Sequence, residues 1–149
     1  MFKSVNPYNQ EVIATFDHQS EDQVRQILNS ANTTFTKWRT TPFAARAEFL
    51  KKVSVEIRDN QVRYAETITR EMGKPILQAR AELEKSAWVC EFYADHAEAF
   101  LREDIVETDA SKSWVSYEPL GVILAIMPWN YPFWQVMRFL APAVMAGYT

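Results

Sequence analysis

One cysteine, two histidines and three glycines in 149 residues each close off a class of chemistry. A lone cysteine, Cys90, forms no internal disulfide, which points to a reducing and therefore cytoplasmic setting. His18 and His96 stand far apart with no Cys, Asp or Glu partners at ligand spacing, so no metal site is expected. The three glycines form no phosphate-cradling motif. Neither sign of charge dominates: 16 Lys+Arg stand against 19 Asp+Glu, a formal net charge of -3. A nucleic-acid partner therefore gains no electrostatic support. Met1–Phe2–Lys3 runs directly into polar Asn6–Gln10, which is not a secretory leader. Nor is there an unbroken apolar run of about 20 residues, the length that crosses a bilayer as a helix. The nearest stretch, Gly121 to Tyr148, is interrupted by Pro128, Asn130, Pro132 and Arg138. A buried strand followed by a buried helix explains it better than a membrane span.

What is present reads as an ordinary globular chain, 48% hydrophobic and 23% charged. A turn at Asn6–Pro7–Tyr8–Asn9 before Val12, Ile13 and Phe16 predicts a short hairpin or extended entry. Ser20 with Gln23 three residues later is a capping box, and Val24, Ile27, Leu28, Ala31, Phe35 and Trp38 keep helical spacing behind it. A second helix is predicted with Pro42 at its first position and a buried face of Phe43, Ala47, Leu50, Val53 and Ile57. A third uses Val62, Ala65, Ile68 and Met72 and ends on Gly73 as a left-handed cap. Lys74–Pro75 opens the longest helix, whose stripe is Ile76, Ala79, Leu83, Ala87, Cys90, Ala94, Ala97 and Leu101. Glu82, Glu84, Lys85 and Glu91 read as its solvated face.

The period then changes. Ile105–Thr108 and Trp114–Tyr117 read as two strands of a hairpin, and Pro119 ends the second. The run Val122–Met127 has the character of a strand covered on both faces of a parallel sheet. After the loop Pro128–Tyr131, Pro132 suits the first turn of a helix that buries Phe133, Val136, Phe139, Leu140, Ala143 and Val144 and ends at Gly147. One parallel strand and one helix cannot complete a doubly wound sheet, so a truncated chain is expected. The carboxyl end of such a strand is where α/β proteins bind ligands. Asn130 there could donate a side-chain N–H to a developing oxyanion, or cap the helix that follows; spacing leaves both open.

The block Pro119–Leu120–Gly121–Val122, then Ile126–Met127–Pro128–Trp129–Asn130–Tyr131–Pro132, then Pro142 to Gly147, resembles the Pro-Trp-Asn region of the aldehyde dehydrogenase superfamily. Thr69–Pro75 with Ala79–Arg80–Ala81–Glu82 resembles that family's matching helix junction, and Asn6–Pro7 its usual opening. The resemblance implies an α/β fold in three parts: a helical N-terminal part of the cofactor-binding domain at 1–103, an oligomerisation hairpin at 104–118, and the first strand-loop-helix of a Rossmann-like cofactor domain at 119–149. It implies that Asn130 is the oxyanion asparagine, stabilising the tetrahedral adduct on a catalytic Cys. It also places Ile126, Met127, Pro128, Trp129 and Asn130 at the nicotinamide and ribose end of NAD or NADP, with NAD preferred. Trp134 and Arg138 fall at the mouth of the aldehyde pocket. An Arg there is similar to succinate-semialdehyde dehydrogenases, where a guanidinium fork grips a distal carboxylate; the competing reading is a surface Arg favoured by a helix dipole.

The same resemblance implies a small aldehyde as substrate and a homo-oligomer paired through the hairpin. The family's nucleophilic Cys and general-base Glu lie beyond the Pro-Trp-Asn block. Cys90 lies before it, on an apolar stripe, and reads as a core residue. Tyr148 departs from the small or polar residue usual after that Gly. The 149 residues alone are therefore expected to be inactive, and the alternative is a non-catalytic truncated product that acts only by associating with other chains.

Overall fold

The computed structural model describes residues 1–149. The opening turn folds the chain onto itself, so that β1 (Phe2–Val5) and β2 (Val12–Phe16) pair antiparallel, Phe2 opposite Phe16. Ser20 then starts α1 (Glu21–Trp38) with the predicted capping box. Its Oγ accepts from the Gln23 N–H at 3.3 Å, and Gln23 Oε1 accepts from the Ser20 N–H at 2.8 Å. Next come α2 (Phe43–Asp59), α3 (Gln61–Met72) and α4 (Ile76–Phe100). Pro42 stands just ahead of the first turn of α2 rather than inside it.

Gly73 ends α3 at φ 76, and a Cβ added there would meet Pro7 Cγ at 3.1 Å. The left-handed conformation costs an L-residue about 1–2 kcal/mol. Gly73→Ala is therefore expected to lower the urea midpoint by that much stability without changing the slope of the transition.

The core lies where α2, α3 and the last helix, α5 (Pro132–Met145), meet α4. Ile57, Ala65, Ile68, Ala79, Leu83 and Ala87 form one buried cluster. Leu50, Cys90, Ala97, Ala141 and Met145 form the other. Both draw on one stripe of α4, whose small residues let neighbouring helices approach closely.

Several expected faces are not covered. In α1 only Phe35 is buried, while Val24, Ile27 and Leu28 face solvent, because no element of the chain packs over that side. Val62, Ile76 and Val136 are likewise open, and Ala141 and Met145, rather than the expected residues of α5, are its buried positions. The hairpin is shorter than predicted, β3 (Asp104–Ile105) with β4 (Trp114–Val115), extended by one bond from the Val106 N–H to Ser113 O at 2.9 Å. Its side chains are exposed, and a two-stranded ribbon with no face to bury frays at its ends.

The largest difference is at Val122–Met127, where no strand forms. Leu124 and Ile126 are 84% and 86% exposed, not covered on both faces. The physical reason is the one that makes a parallel strand: its ladder and its cover come from neighbours on either side. Here the Ile123 N–H finds only the carbonyl of Thr149, at 2.9 Å. No helix of the chain is long and apolar enough to cross a membrane.

Candidate functional site

The loop Pro128–Tyr131 joins that extended segment to α5. A helix leaves its first N–H groups without internal partners, and Pro132, the first residue of α5, carries no N–H to satisfy. The next two amides, those of Phe133 and Trp134, both donate to Glu82 Oε1, at 2.9 and 3.1 Å. Glu82 Oε2 accepts from Lys74 Nζ in an ion pair whose side chains are 1% and 4% exposed. The same ammonium sits 3.6 Å from the centre of the Tyr131 ring. Glu82 is therefore not part of a solvated face, as its charge suggests, but the cap of a helix about fifty residues further on.

Asn130 is exposed and takes no part in capping α5, whose N-cap residue is Tyr131. It lines an open groove of about 620 Å³ with Gln78, Glu82, Lys85, Trp134 and Gln135. Lys85 Nζ lies 3.9 Å from the Trp134 ring and closes one side of it. The other residues singled out by sequence do not converge there. Met127 borders an apolar groove of about 250 Å³ with Ile123, Ala125, Phe139 and Leu140. Trp129, 76% exposed, borders a third of about 230 Å³ with Met72 and Phe133. Ile126 points to solvent. Arg138 is exposed and lies one turn beyond Trp134 on the same side of α5. Its place in the middle of the helix removes the dipole explanation, which holds only for the last turn.

Glu82 and Lys74 had a signal in the sequence. Glu82 and Ser86 fall three and seven residues after Ala79, in register with the stripe Ala79, Leu83, Ala87 and Cys90, and both are buried. A carboxylate on that stripe needs a partner, and Lys74, eight residues earlier, supplies it.

Cys90 is fully buried against Met137, Sγ to Sδ 4.0 Å. Burial, with the Glu91 carboxylate beside it, pushes its thiol up to about 11. A nucleophile needs the thiolate and access to solvent, and Cys90 has neither. Iodoacetamide at neutral pH is expected to leave Cys90 unmodified in the folded chain and to alkylate it in urea; rapid native labelling, read by mass spectrometry, would remove it from the core. His18 packs against the Phe2 ring at 4.4 Å, and His96 Nδ1 meets the Phe92 carbonyl at 2.8 Å. No three His, Cys, Asp or Glu side chains gather in a way that could hold a metal ion.

A sequence model of the aldehyde dehydrogenase family matches residues 1–149. The chain is 49% identical over 144 residues to a probable succinate-semialdehyde dehydrogenase [NADP(+)] of Synechocystis sp., covering 97% of this chain and 32% of that protein. It is 42% identical to the succinate semialdehyde dehydrogenase [NAD(P)+] Sad of Escherichia coli, covering 97% of this chain and 31% of that one. The crystal structure of a succinic semialdehyde dehydrogenase from Streptococcus pyogenes in complex with NADP+ aligns at a TM-score of 0.94 and 34% identity, over 99% of this chain and 33% of that one. Of these three, none names NAD alone, so the expected preference for NAD finds no support. The chain spans about a third of the length of the relatives it matches. With the whole of its sequence matched and its helices laid out as in a solved relative, the chain belongs to the aldehyde dehydrogenase family of oxidoreductases, with the α/β fold of that family.

Proposed function

We propose that this chain is the N-terminal third of an NAD(P)-dependent aldehyde dehydrogenase that oxidises succinate semialdehyde, or a similar short aldehyde, to its acid. The observation that carries the reading is that Glu82 caps α5 and leaves the Asn130 amide open on a groove beside Trp134. The Asn130 N–H would donate to the substrate oxygen as negative charge gathers on it. Trp134 would wall the aldehyde, and the Arg138 guanidinium would meet a carboxylate at its far end.

Ile126, Met127, Pro128 and Trp129 would hold the nicotinamide and ribose end of the cofactor, with Asn130 at its edge. That stretch suits the role, because Ile126 and Trp129 present apolar surface to solvent. Bound there, the nicotinamide supplies the hydride acceptor. The chain's three glycines cradle no phosphate, so the adenosine end falls to other residues. With Cys90 sealed in the core, the 149 residues alone supply no nucleophilic thiolate and are proposed to be inactive.

In the complete protein, residues 119–149 would form the first unit of a Rossmann-like sheet, with Val122–Met127 becoming a strand once its neighbours flank it. Residues 1–103 would be the helical part of the same domain, and 104–118 the arm through which subunits pair. Arg138→Leu, in a full-length dehydrogenase bearing this segment, is expected to raise KM for succinate semialdehyde about 10–100-fold, the worth of a charged hydrogen bond, and to leave KM for butanal nearly unchanged. An equal rise for both aldehydes would sink the carboxylate role.

A second reading, a non-catalytic product that associates with other chains, is favoured by the exposed Leu120, Leu124 and Ile126. It requires concentration-dependent association in sedimentation velocity, and a monomer at every concentration would exclude it.

A further inference from the structure

We infer that Glu82, braced by Lys74, is a positioning residue for Asn130; this rests on the oxyanion reading above and adds to it the residues that hold the donor in place. The usual way to begin a helix is a local Ser, Thr, Asp or Asn whose side chain reaches back to the first free amides. α5 does not use it: its N-cap residue is Tyr131, which makes no side-chain bond to those amides. Both amides converge instead on one carboxylate oxygen of α4. Two donors on one acceptor fix the start of α5 against α4 in distance and direction.

Lys74 takes the other carboxylate oxygen and places its ammonium on the face of Tyr131. The loop is thus held at 131, 133 and 134, and Asn130 is the first residue outside the clamp, on the groove that Glu82 also lines. A local Asn cap would have tied its side-chain carbonyl oxygen to those amides; with Glu82 as the acceptor, the Asn130 side chain stays free on the groove. Replacing a buried ion pair by apolar residues of similar volume is often neutral or stabilising, so stability alone does not call for the two charges. The amides call for an acceptor, and this one places the loop. With the Lys74 and Glu82 side chains almost wholly sealed from solvent, water has little access to stand in for either.

The test has two arms. In the 149-residue chain, hydrogen exchange read by NMR should show the Phe133 and Trp134 amides protected like that of Gln135, which bonds to Tyr131 O at 2.9 Å. Glu82→Ala should release both, and fast exchange at both in the unaltered chain overturns the clamp even if no variant folds. In a full-length dehydrogenase bearing this segment, Glu82→Ala should lower kcat about tenfold or more, a share of the 10²–10³ that one oxyanion donor is worth, with KM for the cofactor unchanged. Combined with Asn130→Ala it should add nothing, because it acts through Asn130. Multiplying losses would overturn the positioning role, as would a fall in cofactor affinity without a fall in kcat. Lys74→Met/Glu82→Gln, which keeps an acceptor oxygen and removes both charges, should restore most of the lost kcat; a double variant as slow as Glu82→Ala overturns the cap as the means. If Asn130→Ala leaves kcat intact, the oxyanion reading fails and the positioning role with it, whatever the amides show of the clamp.

Discussion

Asn130→Ala, made in a full-length dehydrogenase bearing this segment, is expected to lower kcat by about 10²–10³ and to change KM for the cofactor far less. The size follows from where the donor acts. A carbonyl oxygen under nucleophilic attack gains nearly a full negative charge, and a fixed N–H aimed at that position stabilises it more than the starting carbonyl. An interaction that strengthens only in the transition state lowers kcat and kcat/KM together when it is removed. The structure makes the substitution a clean one: Asn130 is exposed and does not cap α5, so removing its amide strips no partner from the helix. Unfolding curves of the two proteins should therefore coincide. A fall in stability with kcat preserved would mean that Asn130 serves the loop, not the reaction.

The helices are legible because their signals are local. Ser20 with Gln23 marks the start of α1 within a residue, and Gly73 closes α3 at the positive φ that its position predicts. The stripe of α4 from Ala79 to Ala97 is read correctly from three- and four-residue spacing. What is not legible depends on parts of the molecule that spacing cannot see. Val122–Met127 has the composition of a covered strand, but composition brings no neighbours, and the segment stays outside any ladder. Val24, Ile27 and Leu28 keep the period of a buried face with nothing packed on it.

Of the residues singled out from sequence, Asn130 and Trp134 line one groove, while Met127 and Trp129 border others. Glu82 is missed because a charge between charges reads as solvated. The amides it serves lie in a helix about fifty residues away.

Lys74→Met should destabilise the chain by about 3–5 kcal/mol, the usual result of removing one partner from a buried ion pair. The Glu82 carboxylate would remain with only the Phe133 and Trp134 amides and the positive end of α5 to hold its charge. Those contacts favour a lower figure within that range. Against a total stability of about 5–15 kcal/mol for an ordinary domain, the loss is large enough to unfold a marginal protein. Urea denaturation would show it as a lower midpoint at unchanged slope. Adding Glu82→Gln should recover most of it, since the second change removes the stranded charge and keeps an acceptor for the two amides. Lys74→Met/Glu82→Leu should not recover as much: leucine matches the apolar surroundings but leaves both amides without a partner, at about 1–3 kcal/mol for each buried group. The difference between these two double variants therefore separates what the charge of Glu82 contributes from what its oxygen contributes. Should Lys74→Met cost less than about 1 kcal/mol, the pair would be behaving as an exposed one, and the clamp on α5 would have lost its physical basis.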